Sequence, residues 1–144
     1  MQKPGNGQSI SPIITFSAKH RNAIYKYEKL EKYKAKEYLA ANVEFAKRHI
    51  RQIPQLVDFA QKPKFGMHVY EAMWGPAEFA PLGSLRTWDV EDQLKNIKVP
   101  TLLINGKFDE VTPKTQKRLV KKIKGAEWVC LPFSSHLSWV EEPA

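Results

Sequence analysis

Asp109 and His136 are the residues whose types and placement best suit chemistry in this sequence. Each follows a short apolar run by a few positions. Val99-Pro100-Thr101-Leu102-Leu103-Ile104 precedes Asp109, and Glu127-Trp128-Val129-Cys130-Leu131 precedes His136. Runs of that length between turn signals read as buried strands. Loops at the carboxyl ends of parallel strands are where open α/β sheets place their sites. A carboxylate held against an imidazole orients the ring and stabilises its protonated form during proton transfer. Taken singly, each residue also fits a plainer role, Asp109 as a turn or capping group and His136 as an exposed histidine.

The intervening segment supports the strand reading. Thr112-Pro113 supplies an N-cap followed by proline at the first helical position, and Gly125 is a fitting C-terminal stop. Strand, helix over 113–124 and strand make a βαβ unit, which implies a parallel pair. Upstream the pattern is helical. Ser17 is a plausible N-cap. Ile24, Tyr27 and Leu30 recur at helical spacing, and Leu39, Val43, Ala46, Ile50 and Ile53 form a second apolar stripe. A break near residues 32–37 divides the two. Pro54 and Pro63 punctuate the next stretch, a short helix is expected over Met67–Met73, and Val90–Asn96 is a further short helical stretch. Residues 1–17 read as an irregular lead-in.

Composition bounds the class. The 144 residues are 42% hydrophobic and 26% charged, a globular balance. No apolar run reaches the roughly 18–20 residues of a membrane span, and the first residues hold no apolar signal core. The single cysteine, Cys130, cannot form an internal disulfide or a cysteine zinc site, so a reducing, cytoplasmic setting is expected. His20, His49 and His68 lack ligand partners at i+3 or i+4 and read as surface or packing residues. No metal and no cofactor are expected. Trp74, Trp88, Trp128 and Trp139 read as packing residues.

Net charge is +8. Lys114, Lys117, Arg118, Lys121 and Lys122 fall on one helical side, with Leu119, Val120 and Ile123 on another. A basic face can bind phosphates, but zinc-finger spacing and RNP-like aromatics are absent. A solvated face is the preferred reading, with nucleic-acid binding the weaker alternative.

Several segments together resemble the proline iminopeptidase family of α/β-hydrolases. They are Met73-Trp74-Gly75-Pro76-Ala77-Glu78-Phe79, Thr87-Trp88-Asp89-Val90, Ile97-Lys98-Val99-Pro100-Thr101-Leu102, Phe108-Asp109-Glu110-Val111-Thr112-Pro113, and Ser134-Ser135-His136-Leu137 with Glu141-Glu142-Pro143. The resemblance runs from about Ala18 to the end. It implies a partial α/β-hydrolase, with a helical cap region over 18–80 and the C-terminal α/β lobe over 81–144. It implies a serine aminopeptidase that releases N-terminal residues, proline favoured, from peptides. Asp109 would be the triad acid and His136 the general base. Glu78 and Glu110 would hold the substrate's α-amine, a role that suits buried carboxylates facing an ammonium. The plainer role for Glu110 is a carboxylate near a helix N-terminus. For Glu78 it is a solvated loop residue.

Such a hydrolase also needs a nucleophile in a Gly-x-Ser-x-Gly turn. The glycines at 5, 7, 66, 75, 83, 106 and 125 frame no serine in that way. Ser134 and Ser135 lie too close to His136, and Cys130 sits inside a strand. No nucleophile is therefore assigned, and residues 1–144 alone are expected to be inactive and poorly soluble, with peptides and a complementary N-terminal lobe as expected partners. A non-catalytic binding protein built on the same lobe is the alternative.

Overall fold

The computed structural model describes residues 16–53 and 66–143. Nearly all of the expected lead-in, together with Pro54 and Pro63, lies outside them.

Helix α1 spans Ala18–Lys29, and the Ser17 hydroxyl accepts the His20 amide as its cap. It stops without glycine. Glu31 takes a left-handed φ of 53°, and the Lys32 amide turns back to the Tyr27 carbonyl at 2.9 Å. Helix α2 then spans Lys36–Phe45, so the break falls where the sequence suggested. The Tyr27 hydroxyl donates to Glu37 across the hairpin at 3.0 Å.

The buried face of α2 differs from the expected stripe. Tyr38, Ala41 and Phe45 are buried, whereas Leu39 and Val43 are 48% and 55% exposed. Rings decide the phase. Tyr38 and Phe45 each meet Phe79 edge-on, at 5.7 and 5.1 Å between centroids, and Phe45 meets Phe16 at 6.0 Å. Burying a large side chain contributes about 1.5–3 kcal/mol, so the aromatic face outweighs the aliphatic one. Phe16, Ile24, Ala77 and Ala80 complete this core. On α1, Ile24 is buried as expected but Leu30 is half exposed.

After Phe45 the helix widens into a π-turn over Ala46–Ile50, closed by the Arg51 amide on the Ala46 carbonyl at 2.9 Å. Such one-residue expansions often occur at functional sites. Helix α3 spans Met67–Met73, as expected. Short 3-10 turns come next, at Ser84–Thr87 and Glu91–Asn96.

Strands β1 (Leu102–Gly106) and β2 (Glu127–Leu131) pair in parallel, with Leu102 opposite Glu127 and Gly106 opposite Leu131. Strand β1 starts later than Val99 and runs through Asn105-Gly106. Pro100 has no amide to donate, and the ladder opens with the Glu127 amide on the Thr101 carbonyl. Asn105 does not turn. Its buried side chain donates to the Gly106 and Val111 carbonyls and accepts the Trp128 indole N–H at 2.8 Å.

Between the strands, α4 spans Pro113–Val120, capped by Thr112. It is shorter than expected. Lys122 and Ile123 bond three residues back, and Gly125, at φ 76°, closes the turn. Ile123 is buried, while Arg118 and Lys122 pair with Glu91 at 2.5 and 3.0 Å. The basic face is thus partly neutralised within the chain. A last turn, α5, spans Ser138–Glu141. Trp88 and Trp139 are exposed rather than packed.

The described residues thus comprise helices and a small parallel sheet, the elements expected of a partial α/β-hydrolase.

Candidate active site

The carboxyl ends of β1 and β2 bring Asp109 and His136 together. The loop after β1 is stitched to the loop after β2 by backbone bonds: the Lys107 amide donates to the Leu131 carbonyl at 2.8 Å and the Phe108 amide to the Ser134 carbonyl at 3.0 Å. Gly106 makes this approach possible. A Cβ there would lie 2.2 Å from the Ser134 carbonyl oxygen, closer than any side chain tolerates.

Asp109 is 5% exposed. Its Oδ1 accepts the Val111 amide at 2.8 Å, a local turn that fixes the carboxylate. The same oxygen lies 3.1 Å from His136 Nδ1. An ionised carboxylate can only accept, so Nδ1 carries the proton and Nε2 presents its lone pair. The His136 side chain is 43% exposed, open enough to meet a reactant. The Asp109 bond holds the imidazole above the usual histidine range. Burial opposes this, and the charges of Asp109, Glu110 and Glu78 add to it.

The His136 loop is held from two further sides. Glu141 accepts the Ser135 amide at 2.5 Å and its hydroxyl at 2.9 Å, and it also takes the Gln52 amide. Glu142 accepts the Phe133 amide at 2.9 Å. From the helical part, the His49 carbonyl accepts the His136 amide and the Ile50 carbonyl the Leu137 amide, each at 3.2 Å.

Glu78 and Glu110 line one cleft of about 630 Å3. Its walls are otherwise apolar or aromatic: Val69, Met73 and Leu85 with the rings of Tyr70 and Trp74. The Trp74 indole donates to the Glu78 carbonyl at 3.1 Å, which anchors the segment carrying that glutamate. Burial, then the nearby Glu78 charge, push Glu110 up to about 7, while His136 pulls the other way. The two carboxylates and the imidazole therefore share one electrostatic neighbourhood. A cleft with two converging carboxylates in apolar walls suits an organic cation.

Two residues went unrecognised in the sequence. The Tyr70 hydroxyl is hydrogen-bonded to Glu78, and burial followed by that bond raises its pKa. Its place on a short helix, four residues before Trp74, is the signal the sequence offers. His49, expected at the surface or in packing, does more than pack. It is buried, and its Nδ1 reaches the Phe108 carbonyl at 2.8 Å, 59 residues away, a contact that spacing does not encode. Cys130 is partly buried within β2.

No family model matches the chain. It is 38% identical over 127 residues to a proline iminopeptidase of Saccharolobus solfataricus, covering 86% of this chain and 41% of that protein. It is 36% identical over 125 residues to a proline iminopeptidase of Clostridium botulinum, covering 85% and 43%. Among solved structures, the proline iminopeptidase of Mycobacterium smegmatis aligns with a TM-score of 0.76 at 32% identity, and VinJ with 0.82 at 34%. Those alignments take in 92% and 91% of this chain and 46% of each neighbour. The chain spans a little under half the length of the relatives it matches. Over that span it is similar in sequence, and in its partial α/β-hydrolase fold, to proline iminopeptidases.

Proposed function

We propose, from the premise that this chain corresponds to part of a proline iminopeptidase in the α/β-hydrolase fold, that it furnishes the acid, the base and the amine-binding carboxylates of a serine aminopeptidase. The observation that carries the reading is the Asp109–His136 hydrogen bond beside the Glu78–Glu110 cleft. Asp109 fixes the tautomer. His136 Nε2 takes the proton of a serine hydroxyl as that oxygen attacks the scissile carbonyl, then gives it to the departing amine; water releases the acyl group by the same exchange. Glu78 and Glu110 hold the free α-ammonium of the peptide, which sets the reacting bond one residue from the N-terminus. The apolar cleft walls favour proline and other apolar N-terminal residues.

The serine belongs to a segment outside this sequence, which holds no Gly-x-Ser-x-Gly. In this reading residues 18–80 act as the helical cap, and 81–144 as the lobe that carries the acid and base. The partner is a complementary lobe bearing the nucleophile, and the setting is the cytoplasm. Among the described residues no helix is long and apolar enough to cross a membrane.

The test is complementation. The chain is co-expressed with a Gly-x-Ser-x-Gly lobe taken from a relative and assayed on a proline arylamide and its N-acetylated form. Turnover of the free-amine substrate alone, abolished by Asp109→Asn, is expected. Equal turnover of the acetylated substrate would remove the roles of Glu78 and Glu110. Turnover by the unassisted chain that Asp109→Asn abolishes would overturn the need for an outside nucleophile.

A further inference from the structure

We infer that His49 is a positioning residue for the Asp109–His136 pair, holding both loops at once from the π-turn of the helical part. The inference rests on the proposed catalytic role only in calling that pair reactive; the geometry stands without it. The His49 ring lies 2.8 Å, through Nδ1, from the carbonyl oxygen of Phe108, the residue before Asp109. A carbonyl only accepts, so Nδ1 carries the proton. The His49 carbonyl accepts the amide of His136 at 3.2 Å. One residue therefore fixes the acid's loop with its ring and the base's loop with its backbone.

Packing alone does not account for a histidine here. The residue is 9% exposed, its ring stacked on Phe16 at 6.2 Å and tilted on Phe45 at 5.1 Å. Its Nε2 is buried with no hydrogen-bond partner among the described residues. A phenyl ring would fill that space without the cost of burying an unpaired nitrogen. What a phenyl ring lacks is the donor to Phe108. Burial also keeps His49 below the usual histidine range, so the ring serves as a neutral single donor. The π-turn places it, because the Arg51 amide reaches back five residues and the chain turns toward the His136 loop at Ile50.

The test uses the full chain and reads His136 directly by NMR titration of its ring protons, alongside thermal melting. His49→Phe keeps the ring packing and removes the donor. His49→Asn supplies a donor without the ring. His136 faces Asp109, Glu110 and Glu78, all retained in both variants, so a change in its titration reports position. In His49→Phe, His136 is expected to titrate at least about half a pH unit lower while the protein still melts cooperatively. In His49→Asn it is expected to stay within about 0.2 of the wild-type value. A cooperatively melting His49→Phe with wild-type titration, or equal lowering in both variants, overturns the inference. If His49→Phe does not fold, His49→Asn decides: wild-type titration supports the role and lowered titration overturns it. Peptidase activity is not read, so failure of the proposed function leaves this outcome intact.

Discussion

His136 donates from Nδ1 to Oδ1 of Asp109 across 3.1 Å, although the two lie 27 residues apart and on loops after different strands. The acid is buried and held by the Val111 amide, while the imidazole keeps its other nitrogen open. The pair therefore has one fixed member and one that can exchange a proton.

Asp109→Asn should lower the pKa of His136 by roughly one pH unit, because the first cause of its elevation is the Asp109 bond. NMR titration of the His136 ring checks this. Stability should change with it. A raised histidine pKa contributes stability that is full below the unfolded value near 6.5, and it is lost as pH rises through the folded value. The variant should lose that dependence, seen as a flatter melting temperature across this window.

Glu110→Gln should change stability in the other half of the pH range. Glu110 is held up to about 7, above its ordinary 4.5. Its ionisation therefore costs the folded state stability, beginning above pH 4.5 and complete once pH exceeds about 7. The neutral variant should be more stable than wild type at pH 8 by about 1–3 kcal/mol, with the gain vanishing near pH 4. Urea melts at the two pH values measure it. In the complemented enzyme the same variant should raise KM for free-amine substrates.

Gly106→Ala should destabilise the chain by about 2–4 kcal/mol. The new Cβ would meet the Ser134 and Ser135 carbonyl oxygens at 2.2 and 2.4 Å, all backbone and hard to move. Thermal melting reports the loss. A displaced His136 resonance should accompany it, since Ser134 and Ser135 lead directly into that histidine.

Glu141→Ala should loosen the His136 loop by removing the acceptor shared by the Ser135 amide, the Ser135 hydroxyl and the Gln52 amide. A cost of about 2–3 kcal/mol is expected for freeing such charged hydrogen bonds. Faster hydrogen exchange at the Ser135 amide is the direct readout.

The unassisted chain should self-associate. Leu102, Ile104 and Val129 form one face of the two-stranded sheet and are each more than 40% exposed. Sedimentation showing a monomer that melts cooperatively would contradict this. Addition of the complementary lobe should reduce the association.

Local signals in the sequence determined the two α/β strands, the Thr112-Pro113 cap, the break after α1 and the helix over Met67–Met73. Each depends on backbone preferences within a few residues, which a sequence displays directly. The motifs also named Asp109, His136, Glu78 and Glu110. Tertiary contacts decided the rest. The buried face of α2 passed to Tyr38 and Phe45 because Phe79 and Phe16, distant in the chain, offered ring partners that Leu39 and Val43 could not match. Strand β1 slid past Pro100 because its register is set by hydrogen bonds to β2. The joining of Asp109 to His136, the sharing of one cleft by two glutamates and the hold of His49 on both loops depend on contacts across 27 to 87 residues. Such contacts follow from how the elements pack, which no local pattern carries.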